Sequence, residues 1–271
     1  GKDSIEISPY INNLGRYYKD VGRYEESERL LLQSLELEKK QIELLINKRV
    51  DGIIISLSND ANNEIYLQQI IDREIPFVQF DKISKLIPSS KVVINDQKAA
   101  YQAVKHLIEK GCKKIAHIRG PLNPQNAIDR FLGYKKALED HNIPFDSSLV
   151  YPCKHVTFEE GKEFAAKILA DHKNVDGIFV ITDMVAVGVL AHFNEHQIKV
   201  PDQIKIIGFS NWFMSQVITP KLSTVDQPSF EMGEQAFKLL LEEMVARKEY
   251  LPFTPRTIEL ETSIIEREST F

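Results

Sequence analysis

His192 and His196 flank Glu195 in "HFNEH", a spacing that on a helix sets two imidazoles on one face with a carboxylate beside them. This is the H-x-x-E-H pattern of inverted zinc peptidases, in which the imidazoles hold zinc and the glutamate is the base. It falls at the end of the helical pattern that begins near Asp183, opposite the ligand-binding end of a sheet of this type, and no third ligand accompanies it in a matching constellation. Five-residue patterns arise by chance on polar helix ends, so a zinc hydrolase is the lesser expectation. "GFSNW" around Ser210 has one glycine of a nucleophile elbow but Trp212 where the second would stand. Neither a G-x-x-x-x-G-K-[ST] nor a G-x-G-x-x-G phosphate loop occurs. The expectation is a binding module without catalytic residues, cofactor or metal.

A second set of polar residues recurs at the ends of apolar runs. Candidate strands are "VDGIIIS" (Val50 to Ser56), "IPFVQFD" (Ile75 to Asp81), "KVVIN" (Lys91 to Asn95), "KKIAHIRG" (Lys113 to Gly120), "DGIFVIT" (Asp176 to Thr182) and "IKIIGFS" (Ile204 to Ser210). Between several of them lie stripes at helical spacing: Ala103, Val104, Leu107 and Ile108 before Gly111, and Phe164, Ala165, Ile168 and Leu169. Nearly continuous apolar strands alternating with helices imply an α/β fold with parallel sheets covered on both faces. Ligands of such sheets bind beyond the carboxyl ends of the strands. Asp81, Asn95, Asp96, the loop "GPLNPQN", Thr182, Asp183, Ser210 and Asn211 all stand there, which predicts a polar pocket.

The chain of 271 residues is 43% apolar and 27% charged, ordinary for a globular protein able to bury one large core or two modest ones. Its apolar runs are too short or interrupted for a membrane span, which takes about 20 residues. Neither the start "GKDSIEISPY" nor the two cysteines, Cys112 and Cys153, suggests export or a disulfide framework, so a reducing cytoplasm is expected. A formal charge of −5 without a Lys/Arg stripe predicts no direct nucleic-acid surface.

The ordered motifs "KRVDGIIIS", "REIPFVQFDK", "VVINDQKAAYQAVKHLIEKGCKKIAHIRGP", "DRFLGYKKALEDHNIP", "GIFVITDMVAVGVL", "VPDQIKIIGFSN" and "LSTVDQPSFEMGEQAFKLLLEE" resemble the effector-binding domain of the lactose-repressor (LacI/GalR) family of bacterial transcription regulators. The resemblance runs from about Leu37 to the C-terminus. It implies a two-lobed fold like that of periplasmic binding proteins, a sugar or related small polar effector between the lobes, and a homodimer. It also implies that operator DNA is held by a separate helix-turn-helix domain, which these residues do not contain. By the resemblance one lobe comprises residues 39–121 and 225–248, the other 122–224 and 249–271. An exported solute receptor for a transporter shares the fold and is the alternative.

Residue by residue, Arg130 in "DRFLGY" matches the family arginine of the cleft, and a guanidinium fork suits vicinal hydroxyls or a carboxylate. A helix-surface salt bridge is its plainer role. Asn126 matches a ligand-contacting position, with turn chemistry in "NPQNA" as competitor. Ser210 replaces a common family aspartate, so either the ligand carries fewer hydroxyls or Asn211 supplies the missing contacts. Asp183 and Asp96 each precede a helical stretch and are expected to cap it or to touch ligand. Trp212 and Phe80 offer aromatic faces for a sugar ring, or core packing, with Asp81 following Phe80.

The N-terminal segment departs from the family. Leu14, Gly15, Tyr18, Gly22, Tyr24, Ser27 and Leu31 fall in the register of one tetratricopeptide repeat of the kinesin-light-chain type. Residues 1–38 are therefore expected to form a helical hairpin whose second helix continues into "LEKKQIELLINKR". The alternative is a diverged βαβ unit with "SIEIS" and "RLLLQS" as strands.

Overall fold

A computed structural model describes residues 40–57, 64–122 and 124–271. The expectations for residues 1–38, hairpin or βαβ, lie outside the described residues. A helix over residues 40–47 (α1) continues the "LEKKQIELLINKR" pattern and buries Ile42. There follow β1 (Ile53–Ile55), α2 (Glu64–Asp72), β2 (Phe77–Phe80), β3 (Ser90–Ile94), α3 (Asp96–Glu109), β4 (Ile115–Arg119) and α4 (Gln125–Asp140). The second half comprises β5 (Val150–Pro152), α5 (Phe158–Asp171), β6 (Gly177–Val180), α6 (Asp183–Glu195), β7 (Lys205–Phe209), α7 (Met214–Val217), β8 (Ser223–Asp226), α8 (Ser229–Lys248), β9 (Thr257–Leu260) and β10 (Ser263–Ile265).

The strands form two sheets, one ordered β1-β2-β3-β9 and the other β10-β8-β7-β6-β4-β5. Pairing is parallel for β1 with β2 and β2 with β3, and along β5, β4, β6, β7 and β8. The expectation of purely parallel sheets needs one correction, because β10 returns antiparallel along β8, Ile264 facing Val225. All six strands read from apolar runs are present, most of them shorter than the run, while β3 begins one residue earlier, at Ser90. The strands β5, β8, β9 and β10 left little apolar signal. In β8 the buried side chains are Ser223, Thr224 and Val225, and the hydroxyls of the first two are hydrogen-bonded, which replaces hydrophobicity as the reason they can be inside.

The chain divides into two compact units. Among the described residues the first holds those up to Val93 and Glu231–Ile258, the second Ile94–Phe230 and Glu259–Phe271. This division falls at Val93, whereas the lobe boundary expected from the resemblance lies after residue 121. The strand β4 pairs with β6, Ala116 opposite Ile178, and so belongs to the six-stranded sheet together with α3. The crossing falls inside β3, where an unbroken strand carries no turn residue to mark it. The first core gathers Ile42, Ile53, Leu67, Ile70 and Phe77. In the second, Ile118, Ile178, Val180 and Ile206 of the sheet meet Phe164 and Ile168 of α5 and Val185, Val189 and Phe193 of α6.

In the second unit α5 and α6 cross at two glycines. A Cβ on Gly161 would lie 2.1 Å from the carbonyl oxygen of Val185, and one on Gly188 would lie 2.0 Å from that of Phe158. Both obstacles are backbone, which cannot rotate aside. Gly188→Ala is expected to destabilise the chain by about 1–3 kcal/mol or more through forced separation of the two helices, measurable as a lowered urea midpoint.

Candidate functional site

The second unit brings the start of α3, the first turns of α4 and the carboxyl ends of β6 and β7 together around Arg130. This residue is 3% exposed. Its Nε donates to Oδ1 of Asp96 at 2.7 Å and its Nη1 to the carbonyl oxygen of Ile181 at 2.8 Å. The guanidinium carbon stands 3.5 Å from the centre of the Phe209 ring, an arrangement in which the ring face attracts the cation. Nη2 makes no hydrogen bond among the described residues. The arginine is neither on the helix surface nor free, and its salt bridge is a buried one.

Asp96 accordingly does not cap α3. The N-cap is Asn95, whose side chain accepts from the backbone N–H of Lys98 at 3.0 Å. Asp183 likewise does not cap α6: the N-cap position is Thr182, and it makes no side-chain cap bond. The Asp183 carboxylate, 1% exposed, faces the next loop instead. It accepts from the backbone N–H of Trp212 at 2.7 Å and from Thr224 Oγ1 at 2.7 Å. Gly208 permits this approach, since a Cβ there would lie 2.2 Å from Asp183 Oδ1.

The turn held by Asp183 has two consecutive residues in the left-handed region, Ser210 at φ 105° and Asn211 at φ 51°. Asparagine tolerates this conformation; serine at 105° is uncommon, and the turn's hydrogen bonds hold it there. Ser210 N–H donates to the Val225 carbonyl and Asn211 N–H to Thr224 Oγ1. The amide of Asn211 is used at both ends, donating to Asp226 Oδ1 at 2.8 Å and accepting from Arg267 Nη2 at 2.7 Å. Asn211, one of the two expectations offered for the missing family aspartate, thus has its amide engaged around the turn. Trp212 is 37% exposed and meets Phe213 edge to face at 5.0 Å, so it is not core.

Asn126 lies in the first turn of α4, where its Oδ1 accepts from the N–H of Ala127 at 2.8 Å, as the turn reading anticipates. Phe80 and Asp81 belong to the other unit, at the carboxyl end of β2, with Asp81 at φ 56°. A cavity of about 250 Å³ in that unit lies elsewhere, among Ile75, Phe77, Ser89, Glu243 and Phe253 near the amino ends of β2, β3 and β9. Two residues outside the expected set join the Arg130 neighbourhood by sequence position. Thr182, next to Ile181, has a buried hydroxyl without a partner. Arg119, 8% exposed at the end of β4, lies over the Phe131 ring at 4.4 Å. Thr182 stood among the polar strand ends without a role of its own; Arg119 was concealed as a strand residue.

His192, Glu195 and His196 sit at the opposite end of α6 from Asp183, and Lys162 Nζ is 2.7 Å from Glu195 Oε1. The carboxylate that a hydrolase would use as base is thus an ion-pair partner on the far side of the sheet from the polar strand ends.

Burial pushes the Asp183 carboxyl up from 3.8 to about 6, against hydrogen bonds from Thr224, Trp212 and Phe209 that favour its ionised form. A carboxyl raised on folding contributes stability that is complete below about pH 4 and is lost as pH rises through about 6. Subtracting the unfolding free energy of Asp183→Asn from that of the parent chain at each pH should give a difference that declines between these limits. A difference independent of pH would assign the ionisation elsewhere.

Residues 104–270 match the family model described as a periplasmic binding protein-like domain. The ribose operon repressor of Halalkalibacterium halodurans is 30% identical over 268 residues, 97% of this chain and 76% of that protein. The transcription regulator CcpA of Lactococcus lactis is 33% identical in a solved structure, with a TM-score of 0.77 over 88% of this chain and 84% of that one. A LacI-family regulator from Enterococcus faecium, solved with bound ribose, is 27% identical with a TM-score of 0.74, over 85% and 83% of the two chains. The likeness covers the two-lobed α/β architecture, and no regulator of this kind is an enzyme. The chain belongs to the LacI/GalR family of transcription regulators and is a ligand-sensing domain of the kind that takes a small effector between two lobes.

Proposed function

We propose that the effector is a sugar or a closely related polyhydroxylated metabolite, with a pentose such as ribose first among the candidates. Two observations together support the reading: a buried arginine, fixed by Asp96 and Ile181, uses two of its five N–H groups, and Thr182, next in sequence to Ile181, has a buried hydroxyl without a partner among the described residues. A ligand offering several hydroxyls satisfies both without disturbing the anchor. Ser210, Asn126 and Arg119 add short polar contacts, Trp212 an aromatic face, and Phe80 and Asp81 the contribution of the first unit. Asp183 and Asn211 act by positioning the β7–α7 turn. The name of the Halalkalibacterium relative and the ribose in the Enterococcus structure support the pentose.

The effector acts by binding one of two lobe arrangements more tightly, which shifts their populations. Operator DNA is then contacted through a helix-turn-helix domain outside these residues, in a homodimer within the cytoplasm. Phe237, Leu241 and Val245, exposed by 54%, 42% and 51% at four-residue spacing on α8, support a self-association face. Among the described residues no helix is long and apolar enough to cross a membrane.

Thermal-shift titration with ribose, other monosaccharides, disaccharides and nucleobases tests the assignment. A ligand at a hundred times its Kd stabilises by about 2.7 kcal/mol, well within detection. Thr182→Val and Arg130→Ala should each abolish or greatly reduce the shift. Because Arg130→Ala also removes an ion-pair partner of Asp96, Thr182→Val, nearly isosteric, is the decisive variant. A sugar-induced shift unchanged in both would remove this site. In a second measurement, Leu241→Glu should move the light-scattering mass of the chain from dimer to monomer.

A further inference from the structure

The last turn of α6 carries a constellation that effector binding does not use. His192, Glu195 and His196 each present a ligand atom within 4.8 Å of the other two. Their i, i+3, i+4 spacing places all three on one face of the helix. The two imidazole rings lie 4.0 Å apart between centroids at 28°. His196 Nδ1 is 2.9 Å from the carbonyl oxygen of His192, a contact that requires the proton on Nδ1 and leaves Nε2 with its lone pair for a metal. The unpaired carbonyls at a helix C-terminus add a partial negative charge that attracts cations.

We propose that this turn binds a borderline divalent cation, Zn²⁺, Ni²⁺ or Cu²⁺, through one nitrogen of His192, Nε2 of His196 and a carboxylate oxygen of Glu195. Imidazole ligands favour these ions over Mg²⁺ and Ca²⁺, which seek oxygen. Glu195 is held by Lys162 of α5 at 2.7 Å, so binding exchanges an ion pair between two helices for a metal clamp within one. The remaining coordination positions are filled by water. No bond is made or broken in any substrate, and the site is distinct from the zinc hydrolase that the motif first suggests.

The test is calorimetric titration of the untagged, chelator-treated chain with zinc chloride and, separately, magnesium chloride. One equivalent of zinc is expected to bind saturably, and magnesium is not. His192→Asn and His196→Asn should each weaken zinc about tenfold or more while the circular-dichroism melt of the metal-free chain stays within a few degrees. Lys162→Gln should tighten it several-fold by freeing Glu195. Absence of saturable zinc binding at millimolar zinc, or affinity unchanged in both histidine variants, overturns the site. Affinity unchanged in Lys162→Gln overturns Glu195 as the third ligand.

Discussion

A guanidinium that is 3% exposed must be compensated on every side, because an unpaired buried charge costs several kcal/mol. For Arg130 the compensation comes from Asp96 at the start of α3, from the Ile181 carbonyl beyond β6, and from the Phe209 ring at the end of β7. Four elements distant in sequence are thereby held to one point. Moving any of them exposes or orphans a charge, so the polar end of the six-stranded sheet behaves as one rigid piece. The hydrophobic core beneath brings the elements together; the ion pair sets their register.

A second buried acid extends this control to the loop after β7. Asp183 reaches the Trp212 N–H and the Thr224 hydroxyl, and Thr224 belongs to β8. The same strand is tied on its other flank by Ser223, which bonds Arg267 and Thr270 near the C-terminus, while Arg267 returns to Asn211. Polar side chains inside a sheet are tolerated here because nearly all are partnered. The few polar groups left without partners then stand out against a rigid surround. A rigid site with unused hydrogen-bond capacity holds a polar ligand with little ordering cost, which is the physical basis of preorganised recognition.

Much of this was legible in the residues. Apolar runs separated by amphipathic stripes marked six of the ten strands among the described residues, and polar strand ends marked the candidate site at the carboxyl edge of the sheet. Arg130 and Asp96 were both singled out, although nothing in their types revealed that they bind each other. The strand β5 escaped because it is only three residues long, and β8 because its inside positions Ser223 and Thr224 are secured by hydrogen bonds rather than by hydrophobicity. The sequence also left the partners of Asn211 open, because an amide serves a turn or a ligand equally well until its neighbours are known.

By itself the sequence determined the fold class and the family, since alternation of strand and helix and the order of motifs are local, periodic properties written along the chain. It also determined which strand ends are polar. Only the tertiary structure decided which of those polar groups were already engaged, that the crossing between units falls inside β3, and that the acids before α3 and α6 are not their caps. Most of these are outcomes of pairing between residues far apart in the chain, such as Trp212 with Asp183, 29 positions apart, or Arg130 with Ile181, 51 apart. Hydrogen-bond partners at that separation depend on how the layers stack, and no local pattern encodes them.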